Sequence, residues 1–219
     1  MGRCEWRRGN AMAELPLAEQ WRFDMSAHAA PWYGPVFNEI IYRHAETHRR
    51  YHGVQHLEAL FQLLRLHAPH LLPGCPARLA VWWHDSIYDP QARDNEECSA
   101  ELARQHLIKL GISHSVIGET LALILQTKNH WSGPSAGDGD YFLDADIAIL
   151  GAPSAIYDRY AADVRTEYRW APDDAYRAGR SAFLSAAIAR PQLFRTATFQ
   201  NAFDRQARIN MRRELDSLK

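Results

Sequence analysis

The chain has 219 residues, 47% of them hydrophobic and 23% charged, with a formal net charge of −1, which fits one well-buried domain of ordinary composition. A nearly neutral chain offers no bulk electrostatic case for DNA, RNA or a membrane surface as main partner, and no apolar run approaches the roughly 20 residues of a membrane span. Cys4, Cys75 and Cys98 are few and scattered, so no disulfide framework or thiolate metal site is implied and a reducing cytoplasm is the expected home.

Residues 1–13 are basic and lack the apolar centre of a secretory signal. They read as an extension ahead of a single domain over 14–219, with Met12 as an alternative start. From there helical periodicity dominates, and no segment alternates as a strand would. The first amphipathic segment covers 15–25. Pro35 opens a second, with Val36, Phe37, Ile40 and Ile41 as its apolar stripe, and a third covers 54–67, with Leu57, Leu60, Phe61 and Leu64 inward. After a Pro- and Gly-marked loop, Pro76 suits the first turn of a fourth helix.

Asp94 to Glu97 begin a fifth helix that stops at Gly111, the acidic residues suiting its N-terminus. Ser113 is a candidate N-cap for a sixth, running to about Lys128. Residues 132–139 read as a flexible loop and 142–150 as a helix ended by Gly151. Three more helices are expected near 154–170, 173–189 and 198–218. Nothing in the interior looks like a linker between domains, so the expected fold class is all-α, one helical bundle.

The chemistry concentrates in a few of these segments. His84 and Asp85 sit side by side at the end of the fourth helix, in an otherwise apolar stretch. A carboxylate buried there is costly without a partner, and a divalent metal can take both side chains at once. Four histidines, His44, His48, His52 and His56, recur at a spacing of four. Gly53 argues against one continuous helix, so His44 and His48 end one helix, His52 lies in the junction and His56 belongs to the next. For His44 and His48, as for His28, His67, His70, His106 and His114, a solvated or hydrogen-bonded imidazole is the simpler reading. Farther on, Asp144 and Asp146 lie in an apolar helix. Asp144 could simply cap it, whereas Asp146 lies beyond the first turn among Ile147, Ile149 and Leu150, where acidic groups are rarely buried alone.

His56, then His84-Asp85, then Asp146 resembles the ordered metal ligands of the HD superfamily of metal-dependent phosphohydrolases. Segments 51–57, 83–88, 94–100, 144–151, 165–168, 179–180 and 207–210 are similar to a bacterial subgroup of that superfamily, and the resemblance covers roughly 15–217. It implies an HD-type helical bundle that gathers the four ligands around a divalent ion. Mixed N/O donors suit Mn, Fe, Co, Ni, Zn or Mg, without a choice among them. The implied activity is hydrolysis of a small phosphate ester, a nucleotide among the candidates, by a metal-activated water. Two alternatives stand beside it: an HD-fold di-iron oxygenase, with His52 and His130 as further ligands, and a non-catalytic module that senses a nucleotide. A homodimer is left open.

Asp85 or Asp146 is a candidate to orient the water. Phosphate chemistry also needs a proton donor and charge neutralisation, for which His52, Lys128 and His130 are the first candidates, the resemblance favouring His130. Lys128 reads equally well as a cation at a helix C-terminus. Glu96 is a candidate acid/base group or a plain helix-start carboxylate. Asp89 is open in the same way, as a possible outer partner of the ligands, and so is Asp144. Arg49, Arg50 and Arg165 are candidate phosphate contacts, since Arg suits bidentate binding, though any one of them could be structural.

Overall fold

The computed structural model describes residues 16–28 and 34–219. The whole of the expected 1–13 extension, with the alternative start and Cys4, therefore lies outside the described residues. Among those described, the secondary structure is all helical, with ten α-helices in chain order: α1 Leu17–Ser26, α2 Gly34–His44, α3 Val54–His67, α4 Pro76–Trp83, α5 Asn95–Lys109, α6 His114–Gln126, α7 Gly139–Ile147, α8 Ser154–Glu167, α9 Asp173–Ile188 and α10 Ala197–Ser217. No helix among them is long and apolar enough to cross a membrane.

The centre of the bundle is α4. Every residue from Ala77 to Trp83 is buried, as expected of a helix that is apolar on all sides. It packs against α3, α6 and α7. Trp21 of α1 meets Trp82 edge-on at 5.2 Å, and Phe61 of α3 meets it at 4.7 Å. A buried ion pair secures this end: Arg78 Nε donates to Asp24 at 2.6 Å, and Trp82 Nε1 donates to the other Asp24 oxygen at 3.1 Å. Gly74 also donates its N–H to Asp24, at a φ of 65°, and a Cβ there would meet Asp24 O at 2.5 Å, so the turn into α4 admits only glycine.

One helix starts and ends earlier than expected. The segment predicted over 142–150 is α7, beginning at Gly139, followed by a separate 3-10 turn at Ala148–Gly151. The early start has a side-chain cause: Asp140 accepts from the Ser135 hydroxyl at 2.5 Å and the Ala136 N–H at 3.1 Å, drawing the loop into the helix. The break comes at Ile147, whose φ of −91° and ψ of 0° leave the α region. Asp146 therefore stands in the last turn of α7. The 3-10 turn packs against α10.

Candidate metal centre

Three elements that meet at the core deliver the site. His56 is in the first turn of α3, His84 caps the C-terminus of α4, and Asp146 ends α7. The turn after α4 is set by hydrogen bonds: Ser86 N–H to Trp83 O at 3.0 Å, and the Ser86 hydroxyl to Trp82 O at 3.2 Å. Arg49 then closes it. Its Nη1 donates to Asp85 O at 2.5 Å and to His52 O at 3.1 Å, its Nη2 to Ser86 O at 3.1 Å, and its Nε to Glu46 at 3.0 Å.

His56, His84 and Asp146 offer ligand atoms that all lie within 4.8 Å of one another, a group that could hold a metal ion. The Nε2 atoms of His56 and His84 are 3.1 Å apart. Asp146 Oδ1 is 3.0 Å from His56 Nε2 and 3.5 Å from His84 Nε2. Asp85 Oδ2 stands 3.1 Å from His84 Nε2 and 3.6 Å from His56 Nε2. His84 Nδ1 donates to Val81 O at 3.1 Å, which leaves Nε2 as the ring nitrogen that faces the cluster. His84 and His56 are only 1% and 5% exposed. Acceptor atoms turned on one another at this burial are costly unless a proton or a cation lies between them, and two imidazoles with carboxylate fit a divalent ion.

Burial opposes charge on His84, but Asp85 and Asp146 outweigh it and raise its pKa well above the ordinary value, so a metal bound here would have to displace the Nε2 proton. Burial likewise works against ionised Asp146 and Asp85; His84 overrides it in both, so both carboxylates are held below their usual range.

His52 lies in the junction ahead of α3, as its position beside Gly53 predicts, and its Nδ1 meets Glu167 Oε2 at 2.7 Å. Glu167 also accepts the backbone N–H groups of Arg50, Tyr51 and His52 at 2.7, 2.8 and 3.1 Å, and the Tyr88 hydroxyl at 2.9 Å. Against the cost of burial, His52 and these N–H groups lower the Glu167 pKa to about 2. The carboxylates of Glu167, Asp85 and Asp146 raise that of His52, overcoming its own burial. Tyr51 lies between His56, at 4.9 Å, and Tyr160, at 4.6 Å. Burial and the charges of nearby Tyr160, Asp146 and Asp85 raise its pKa well above the ordinary value, so its hydroxyl stays protonated.

His130 joins the cluster from the other side, its Nε2 2.7 Å from Asp146 Oδ2. The remaining candidates lie apart from it or are engaged elsewhere. Arg49 serves backbone carbonyls, as above. Arg165 is bound to Tyr168 O, Ala171 O and Asp173, with its guanidinium over Tyr176. Exposed Lys128 pairs with Glu97 at 2.6 Å and caps Arg93 O. Glu96 stands in the first turn of α5, 3.9 Å from Lys128. Asp89 is exposed and shapes a turn, accepting from Gln91 N–H. Asp144 does not cap its own helix: it accepts from Arg195 N–H, Thr196 N–H and the Thr196 hydroxyl, each at 2.7 Å, and so holds Thr196, the N-cap of α10.

Three residues here escape a reading of the sequence: Glu167, Tyr51 and Arg195. Glu167 and Tyr51 fall inside segments that carry the HD resemblance, but nothing local distinguishes their side chains. Arg195 donates from Nε to His130 O at 2.7 Å, from Nη2 to Ser132 O at 2.6 Å and from Nη1 to Pro134 O at 3.1 Å. Through these bonds the loop expected to be flexible has its backbone tied to the body of the protein. Comparison of the chain with protein-family models, with curated proteins and with solved structures finds no match.

Proposed function

We propose that this protein is a metal-dependent phosphohydrolase of the HD type, acting on a small phosphate ester, with nucleotides the first class to try. The observation that carries the reading is the convergence of His56, His84 and Asp146; the Asp85 carboxylate, 3.1 Å from His84 Nε2 and 3.6 Å from His56 Nε2, supports a fourth ligand. A divalent cation bound there supplies Lewis acidity, lowering the pKa of a water and polarising a phosphoryl oxygen.

The chain's own groups do the rest. Asp85 or Asp146 orients the attacking water. His52, whose Nδ1 is taken by Glu167, presents Nε2 for donation to the leaving oxygen, and the raised pKa of this imidazole keeps a proton available near neutrality. Tyr51 adds a hydroxyl that stays protonated and can donate to a phosphoryl oxygen. Arg49 holds the His-Asp turn in shape and leaves charge neutralisation to the cation and His52.

The test is metal analysis of the purified protein, followed by a hydrolysis screen over nucleotides and sugar phosphates. Bound divalent metal and phosphate release, both lost in His56→Ala and Asp146→Ala with the helical fold retained, are the expected outcome. Wild-type turnover in both variants would sink the assignment. Two irons per chain with oxygen consumption would replace it by the oxygenase chemistry, and nucleotide binding without turnover by a sensing role.

A further inference from the structure

Asp146 uses its two oxygens differently. Oδ1 faces the imidazoles of His56 and His84, whereas Oδ2 is 2.7 Å from His130 Nε2. A carboxylate on a metal is aimed by whatever holds its outer oxygen, so the place of His130 decides where Oδ1 points. Yet His130 follows only a three-residue 3-10 turn, Thr127–Asn129, at the end of α6, and the exposed segment 132–138 comes soon after it.

We propose that Arg195 is a positioning residue for the metal centre, acting through His130 on Asp146. The inference rests on the metal-site reading above. Its Nε donates to the carbonyl of His130 itself, and its two Nη groups donate to Ser132 O and Pro134 O. A planar fork of donors can serve three carbonyls at once; an ammonium group cannot match that geometry. Arg195 is in turn held by α7, the helix that carries Asp146: its N–H donates to Asp144 Oδ1 at 2.7 Å, and its Nη1 lies 3.3 Å from Asp140 Oδ1. The contacts close a circuit, from α7 through Asp140 and Asp144 to Arg195, on to His130, and back to Asp146 on α7. Trp131, next to His130, fastens the same two segments by donating Nε1 to Leu193 O at 2.9 Å. Arg195 thus measures the distance between the segment of His130 and the helix of its partner.

The experiment is a double-mutant cycle read by affinity for Mn²⁺ alone, titrated into metal-stripped protein, with thermal unfolding of each variant recorded in parallel. His130→Ala is expected to weaken binding about tenfold or more, the scale for an outer partner of a ligand, and Arg195→Ala by a similar factor. The double variant is expected to bind no more weakly than His130→Ala, because the two residues act in series. Unchanged affinity in Arg195→Ala, or factors that multiply in the double variant, would overturn the proposal. Where Arg195→Ala does not fold, Arg195→Lys, which keeps the charge but loses the fork, goes through the same cycle with the same deciding outcomes. A wild-type protein that takes up neither Mn²⁺ nor, tried in turn, Fe²⁺, Co²⁺, Ni²⁺, Zn²⁺ or Mg²⁺ overturns the metal reading and this one with it. Tight wild-type binding with multiplying factors overturns this one alone.

Discussion

The two halves of the candidate metal centre are each built around an arginine that serves backbone carbonyls, but at very different range. In the His-Asp half, Arg49 binds His52 O, Asp85 O and Ser86 O, within 37 residues of itself, and its side chain is 1% exposed. In the Asp146 half, Arg195 binds His130 O, Ser132 O and Pro134 O across 61 to 65 residues, and its side chain is 15% exposed. The first half lies against the core formed by α3 and α4. The second depends on a link between α9 and α10 that reaches back to a loop. The contrast predicts a firm His-Asp half and an Asp146 half whose geometry is easier to disturb.

The largest effects should come from ligands of either half. His84→Ala and Asp146→Ala each should weaken metal binding beyond the roughly 10–100-fold cost of losing an outer partner, measured by chelator competition. A much smaller loss for one would place the ion nearer the other half. Next comes Arg49→Ala, which leaves three carbonyls and Glu46 without their donor and should cost about 4 kcal/mol in urea unfolding. The more exposed Arg195 should cost clearly less, and equal losses would erase the contrast.

Glu167 adds a pH dependence to the firm half. Its folded pKa of about 2 lies below the ordinary 4.5, so its stabilisation is full above pH 4.5 and is lost as pH falls towards 2. The shift corresponds to about 3 kcal/mol. Glu167→Gln should lower stability at pH 7 and flatten the fall between pH 4.5 and 2 in denaturant melts at stepped pH; an unaltered acid limb would contradict the assignment. Asp144→Asn, which mismatches one donor at the α10 cap, should cost about 1 kcal/mol while the metal stays bound. Loss of metal there would move Asp144 into the site. The smallest effect belongs to Lys128→Ala: an exposed pair with Glu97 contributes little to stability, and a raised KM would return Lys128 to the substrate.

Much of the fold can be read along the chain. The third helix is expected over 54–67 and found at Val54–His67, and Ser113 caps α6 as its residue type suggests, accepting from Val116 N–H. Hydrophobic periodicity and caps act within a few residues, so they survive in the sequence. α7 starts earlier than the apolar pattern suggests because Asp140 draws the loop into it, and ends earlier because Ile147 leaves the α region, neither of which the apolar pattern contains. Asp144 illustrates the same limit. It has the look of a cap for its own helix, yet it holds Thr196, the N-cap of a helix that begins 53 residues later, at Ala197.

Composition and periodicity by themselves determined an all-helical chain, and the pairing of His84 with Asp85 in an apolar stretch marked where its chemistry would gather. An uncompensated carboxylate beside apolar residues is a local anomaly, visible without any fold. The ordered resemblance already pointed to His56 and Asp146 as the partners of that pair, and the structure brings them to it; which arginines would hold backbone instead of ligand was decided by tertiary structure alone. The arginines near the site are alike in sequence; burial against free carbonyls separates Arg49 and Arg195 from the rest. Only the packing of α3, α4 and α7 creates those carbonyls' surroundings, and the donors follow from it.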